Sequence, residues 1–226
     1  MKEAEHTLSL RPVSDNGGPL IAQVAHREQL VGGGVETKFF LEAFIPSSDE
    51  PIHLTHLFEK KMSASGILHY AEAWKAHKDA GIPVASALWT TDTSVVMPDV
   101  RASGYECYGK GLAYWLEDDD IPRNPKIQDE AFLALVSGTG LSRIEERALD
   151  YAERATRHGI LLAPDGAFEL LVDESGGWDL FALDLRLSDL RPPTGKTEEN
   201  PYRTTMLIHY LRFLRIYLPG WRASYA

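Results

Sequence analysis

Residues 141–185 constrain the fold of this chain more than any other segment. The segment begins with apolar residues at a helical spacing and charged residues on the other face: Ile144, Ala148, Tyr151, Ala152 and Ala155. His158 and Gly159 end this helix, since glycine is common just past a helix terminus. Two strand-like runs follow, at residues 168–172 and 178–183. Because the turn residues 174–177 separate them, the pattern predicts a hairpin.

An acidic residue lies in the loop after this helix, and a second one, Asp184, follows the hairpin. This order resembles the catalytic half of the protein-kinase-like superfamily, which includes protein kinases, aminoglycoside and choline phosphotransferases and small atypical bacterial kinases. In that family a catalytic loop supplies an Asp, an Asn follows, and a hairpin delivers an Asp that holds Mg²⁺. The resemblance implies that Asp184 is this metal-holding residue.

Residues 81–100 carry the second part of the resemblance. Gly81-Ile-Pro-Val84 and Val95-Val-Met-Pro-Asp-Val100 are similar to the strands and hinge of the small bacterial kinases and aminoglycoside-type phosphotransferases. There the adenine edge bonds the hinge backbone, which the resemblance assigns to Met97, Asp99 and Val100. Pro98 has no N–H and so limits which positions can donate.

A helix is predicted over residues 63–80, with apolar side chains at a spacing of three to four residues. Glu72 lies on it, close to where the family's helical Glu pairs with a strand lysine. The preceding strand is predicted at residues 52–58. His56 is the candidate for the lysine position, whereas Lys60 and Lys61 come only after this run.

Gly32, Gly33 and Gly34 separate two strand-like regions, at residues 20–31 and 35–45. Glycines allow backbone N–H groups to approach a phosphate closely, so the resemblance implies a phosphate-covering loop. A flexible hairpin without a ligand explains the same glycines.

The catalytic loop departs from the family pattern. Counting from His158 and from Asp184, the catalytic Asp falls on Pro164 or Asp165, and the Asn falls near Glu169. Asp165 and Asp184 are therefore the candidate catalytic residues. Asp184 and Glu169 are the candidate metal ligands, because Glu can also bind Mg²⁺.

These departures favour a kinase-like protein of degenerate active site, a pseudokinase-type module that binds a nucleotide or a protein. The alternatives are an active atypical phosphotransferase that uses ATP and Mg²⁺, and a non-catalytic scaffold without nucleotide. The expected fold is α+β and two-lobed. Residues 1–100 form a small antiparallel-sheet lobe with one helix, and residues 101–226 form a mainly helical lobe.

Charge and composition limit the partners. The formal net charge of −10 argues against nucleic acid and anionic membranes. The exception is residues 202–226, which contain four Arg and no acidic residue. A helix is predicted at residues 202–218, and this basic segment either is solvated or contacts a phosphate or an acidic protein partner. The single cysteine, Cys107, excludes an internal disulfide. Without a signal-peptide pattern or a membrane-spanning apolar run, the expected location is cytoplasmic.

Overall fold

The computed structural model describes residues 7–14, 18–29, 37–46, 50–99, 105–107, 139–163, 167–173, 175, 177–190 and 200. The chain divides into two compact units. The first comprises Met1–Lys75 and Ala85–Ser103, and the second comprises Ala76–Val84 and Gly104–Ala226. Several predicted features lie outside the described residues: the glycines 32–34, Val100, Asp165 and the basic segment 202–226.

The first unit contains six strands that form a closed antiparallel barrel in the order β1-β2-β3-β4-β6-β5. The strands are β1 (Thr7–Pro12), β2 (Leu20–Gln29), β3 (Lys38–Ile45), β4 (Ile52–Lys61), β5 (Trp89–Thr90) and β6 (Ser94–Pro98). The N-terminal half is therefore rich in antiparallel sheet, as predicted. The closure of the barrel, in which β1 pairs with both β2 and β5, was not predicted. Strand β1 lies in a segment that is polar overall, and the alternation of Leu8 and Leu10 with polar residues was its only strand signal.

Alternation along the strands fills the barrel interior. Its core consists of six buried apolar residues, Leu10, Ala22, Leu41, Ala43, Leu57 and Val96. Residues two apart in a strand point to the same face, so Phe39 and Glu59 share this interior face with Leu41 and Leu57, whereas Lys60 points the other way. Because of this alternation, Glu59 lies in the barrel interior and Lys60 does not.

Helix α1 (Ala64–Asp79) follows β4, close to the predicted bounds. The Ser63 hydroxyl accepts a hydrogen bond from Gly66 N at 3.2 Å, which caps the first turn. The buried face of α1 includes Tyr70 and Trp74, and Trp74 Nε1 donates to Ala85 O at 2.9 Å. The helix ends before Gly81, whose φ of 67° suits a residue without a Cβ.

The second unit contains helix α2 (Thr139–Arg157) and five short strands. The strands are β7 (Tyr105–Cys107), β8 (Ile160–Leu161), β9 (Glu169–Asp173), β10 (Trp178–Phe181) and β11 (Asp189–Leu190). The sheets are β10-β9-β7 and β11-β8. The predicted helix and hairpin are thus confirmed. Within the described part of the chain, no helix has the length and apolar character required to cross a bilayer.

Candidate ligand-binding site

The outer face of the barrel beside α1 brings two lysines and two phenylalanines together. In the β3–β4 ladder Lys38 lies opposite Lys60, and Phe40 lies opposite Phe58. The β4–β6 ladder adds Met97 opposite Phe58. Residues directly opposite each other in an antiparallel pair project to the same face, so these five side chains form one surface, here called the lysine–aromatic face.

Tyr70 of α1 connects the helix to this face. Its hydroxyl donates to Met97 Sδ at 3.7 Å, and Lys60 Nζ lies 5.8 Å from the centre of its ring. Lys60 is only 4% exposed, so the attraction between its cation and the ring acts in a largely water-excluded setting. The helix therefore presents an uncharged aromatic ring to Lys60 at this position.

The neighbouring lysine occupies a different environment. Lys61 is exposed, and its Nζ lies 5.7 Å from the centre of the Phe39 ring, which belongs to the interior-facing row of β3. Adjacent residues in a strand project to opposite faces, which separates the roles of the two lysines. Lys60 is thus the lysine of β4 that faces α1.

Two features of this face favour an anionic, partly planar ligand. Like charges directly opposite each other in a sheet disfavour folding by a few tenths to about 1 kcal/mol, and Lys38 and Lys60 are such a pair. The Phe40 and Phe58 rings lie beside them in an edge-to-face arrangement, with centroids 6.2 Å apart. The ammonium groups can pair with an anion, while the aromatic rings offer apolar contact.

His56 lies where β4 is irregular. Its φ is 56°, in the left-handed region that histidine adopts more readily than most residues. The pairing register shifts beside it, since Leu41 pairs with Leu57 and Ala43 pairs with Leu54. The His56 side chain is exposed, and its carbonyl accepts a hydrogen bond from Asp99 N at 2.7 Å.

The structure therefore brings together the backbones of two residues assigned to the nucleotide site, His56 and Asp99, and places Met97 on the adjoining lysine–aromatic face. Glu72 lies on the exposed side of α1, whereas Tyr70 faces the barrel. The cofactor roles of these four residues stay predictions, as do those of Gly32, Gly33, Gly34 and Val100, which lie outside the described residues.

The acidic residues assigned to metal binding belong to the second unit. Glu169 begins β9 opposite Phe181, and Asp184 directly precedes a 3-10 turn, Leu185–Leu187. Both side chains are half-buried. Among the described residues, no three His, Cys, Asp or Glu side chains gather as a metal site. Because Asp165 is outside that set, the assignment of Asp165, Glu169 and Asp184 stays a prediction.

A buried asparagine supports the loop that leads to position 165. Asn200 is fully buried, and its Oδ1 accepts a hydrogen bond from Leu162 N at 2.9 Å. Its Nδ2 donates to Ile160 O at 2.7 Å and to Thr156 Oγ1 at 3.0 Å. The Asn200 side chain thus joins the end of α2, strand β8 and Leu162, the residue after β8. Such hydrogen bonds are typical of buried polar groups.

A second cluster fixes α2 against the hairpin. Tyr151 Oη donates to Asp179 Oδ1 at 3.0 Å, and Arg147 Nη1 lies 3.3 Å from the same oxygen. The hydrogen bond to Tyr151 raises the pKa of Arg147, and burial raises the pKa of Tyr151. Both groups therefore keep their protons at neutral pH, so the phenol remains a donor.

Sequence reasoning missed Lys60, Tyr70 and Asn200. The strand was predicted to end at Phe58, but β4 continues to Lys61, which places Lys60 inside the sheet. The alternation of Phe58 and Lys60 with Leu57 and Glu59 was the signal for this continuation. For Asn200, at the end of a polar loop, the sequence contains no comparable signal.

No protein-family model matches the chain, and no curated protein matches it either. Among solved structures, the chain is similar to the ROP18 kinase domain in complex with AMP-PNP and sucrose. The two share 12% sequence identity, with a TM-score of 0.47, and the likeness covers 91% of this chain and 67% of that chain. Likeness of this degree assigns neither a family nor an activity to this chain.

Proposed function

We propose that this protein is a kinase-like module of degenerate active site that binds an adenine nucleotide on the lysine–aromatic face. The observation that carries the proposal is the juxtaposition of Lys38 and Lys60 beside Phe40 and Phe58. Two ammonium groups suit the charge of a polyphosphate, and the aromatic rings suit the planar base.

Lys60 takes the role of the phosphate-binding strand lysine in this proposal. Its closest described aromatic contact is the ring of Tyr70, 5.8 Å from Nζ. Asp99 follows the last strand of the barrel and is tied to the His56 carbonyl. This bond holds the hinge-like segment next to β4, which supports contact between the base and the hinge backbone.

The departures from the family pattern in the catalytic loop support binding without efficient phosphoryl transfer. Transfer requires charged groups placed around the reacting phosphate; here the position of the usual Asp falls on Pro164 or Asp165, and Glu169 stands near the position of the usual Asn. Asp184 and Glu169 are the residues proposed to hold Mg²⁺.

The test compares adjacent lysines in thermal-shift titrations with ATP and ADP, with and without Mg²⁺. A ligand at 100 times its dissociation constant stabilises the folded protein by about 2.7 kcal/mol. Wild type and Lys61→Met are expected to shift alike, whereas Lys60→Met is expected to lose affinity by roughly tenfold or more, because a charge-assisted phosphate contact is removed.

Lys38→Met serves as a second variant, since Lys38 is only half-buried and its removal perturbs folding less. Equal affinity of wild type and both variants for ATP would overturn the proposal, and so would the absence of any shift in wild type. Turnover of ATP that Asp184→Ala abolishes would instead identify an active phosphotransferase.

A further inference from the structure

A groove lies beside helix α1, within the first unit. It is open to solvent and has a volume of about 500 Å³ between α1 on one side and the end of β1 and the β5–β6 turn on the other. Its helical wall includes Ile67, Leu68 and Ala71. Leu68 is 62% exposed, so its side chain is accessible to a ligand in the groove.

The shape of the groove suits an extended peptide. The lining residues of α1 extend from Ala64 to Lys75, a distance of about 16 Å at 1.5 Å per residue. About five residues of extended chain, at roughly 3.3 Å each, cover this length. The cavity volume also lies within the ordinary range of ligand pockets, about 300–1,000 Å³.

The backbone of the groove offers little to a strand-like partner. Strand β1 is already paired on both sides, Val13 N donates to Leu88 O, and Thr91 N donates to Ser94 O. Pro12 has no N–H to offer. Recognition must therefore come from side chains, through the apolar wall and the charges at the rim, rather than from strand addition.

The charges at the rim define the partner. Lys75 is exposed and, among the described residues, forms no ion pair or hydrogen bond. Arg11 lies across the groove, and its ion pair with Asp92 has both side chains more than half exposed, at 55% and 81%. Such a pair is weak and exchanges readily. Cations therefore lie on both walls of a groove with mixed polar and apolar lining, which also includes Asp92. Among the described residues, Lys75 has no partner.

We propose that this groove, lined by Leu68 and Lys75 on α1 and by Arg11 and Pro12 on β1, docks a short acidic segment of another protein. Apolar side chains of that segment cover Leu68 and Ala71, and its carboxylates pair with Lys75 and Arg11. The inference does not depend on nucleotide binding.

Fluorescence anisotropy with the full chain tests the proposal directly. The probe is a fluorescein-labelled hexapeptide with two leucines and four glutamates. A second hexapeptide has lysine in place of each glutamate, and a third has alanine in place of each leucine. The acidic leucine peptide is expected to bind at least roughly tenfold more tightly than either of the others, which corresponds to 1.4 kcal/mol or more.

Leu68→Asp is expected to weaken binding of the acidic peptide at least roughly tenfold, since it removes apolar contact and adds like charge. The matched control is Leu149→Asp, which places the same carboxylate at an exposed leucine, 43% exposed, in the second unit; its affinity should equal that of wild type. Lys75→Glu is expected to shift the preference toward the lysine peptide. Because these side chains are exposed, melting temperatures should change little.

Several outcomes would overturn the proposal. These are the absence of saturable binding up to 1 mM peptide, equal affinity for the acidic and lysine peptides, or equal effects of Leu68→Asp and Leu149→Asp. A dimer detected by light scattering that Leu68→Asp converts to a monomer would show instead that the groove joins two copies of this chain.

Discussion

Two arginine–carboxylate pairs in the barrel differ in burial, and we expect their contributions to stability to differ accordingly. Arg27 Nη2 lies 2.5 Å from Glu59 Oε2, with side chains 25% and 2% exposed. Arg11 Nη2 lies 2.8 Å from Asp92 Oδ1, with side chains 55% and 81% exposed. The first unit thus contains one arginine–carboxylate pair in its interior and one at its surface.

Removing the cation of the buried pair leaves the Glu59 carboxylate in the interior without its arginine. Breaking a buried pair in this way typically costs about 3–5 kcal/mol. Because a quarter of Arg27 is exposed, we discount the range to about 2–4 kcal/mol for Arg27→Met. That figure includes the loss of the contact between Arg27 Cζ and the Phe39 ring, at 3.9 Å. Arg11→Met should cost about 1 kcal/mol or less.

Urea unfolding at neutral pH measures these differences, with hydrogen exchange of the β2–β4 amides reporting on the first unit separately. The double variant Arg27→Met/Glu59→Leu removes both charges and should recover most of the lost stability, because an apolar replacement of a buried pair is often neutral or better. Equal losses for Arg27→Met and Arg11→Met would refute the reasoning, as would a double variant no more stable than Arg27→Met.

Two further predictions concern the second unit. Asn200→Ala should lower the free energy of unfolding by about 2–4 kcal/mol, because it removes three hydrogen bonds of a buried side chain; a loss below about 0.5 kcal/mol in urea unfolding would contradict this. Hydrogen bonds from Ser175 and then from Gly177 lower the pKa of Asp173. These bonds therefore stabilise the fold fully when the pH is above the ordinary carboxyl pKa, and this stabilisation is lost as the pH falls through the lowered pKa of Asp173. Gly177→Ala would crowd that carboxylate and should flatten this pH dependence, and an unchanged acid transition measured by circular dichroism would show that the turn contributes nothing.

The hairpin and the two described helices could be predicted because local sequence determines them. Apolar spacing and a terminal glycine define α2, and turn residues separate β9 from β10. The bounds of α1 and α2 agree with the prediction to within two residues. Boundaries depend on capping and pairing, and the caps were visible in the sequence, as at Ser63.

The barrel and the lysine–aromatic face could not be predicted because they depend on pairing between distant strands. The closure requires β1 to pair with β5, at Arg11↔Thr90, a contact across almost 80 residues that no local pattern specifies. The register shift beside His56 changes which face each later residue of β4 occupies, and a one-residue shift moves a side chain from one face to the other. The sequence-based interpretation read β4 as a shorter strand that ends at residue 58, and therefore placed Lys60 outside it; the assignment of His56 to the lysine role stays a prediction.

The residue of α1 that contacts Lys60 influences what the lysine–aromatic face can bind. Tyr70 occupies this position and supplies the quadrupole of its ring, an attraction of about 0.5–2 kcal/mol. Lys38 and Lys60 lie directly opposite each other in the β3–β4 ladder, so we expect a ligand with several negative charges to gain more from this face than a ligand with one. For that reason affinity should rise from AMP to ADP to ATP even without Mg²⁺ in the titrations that compare Lys60 with Lys61.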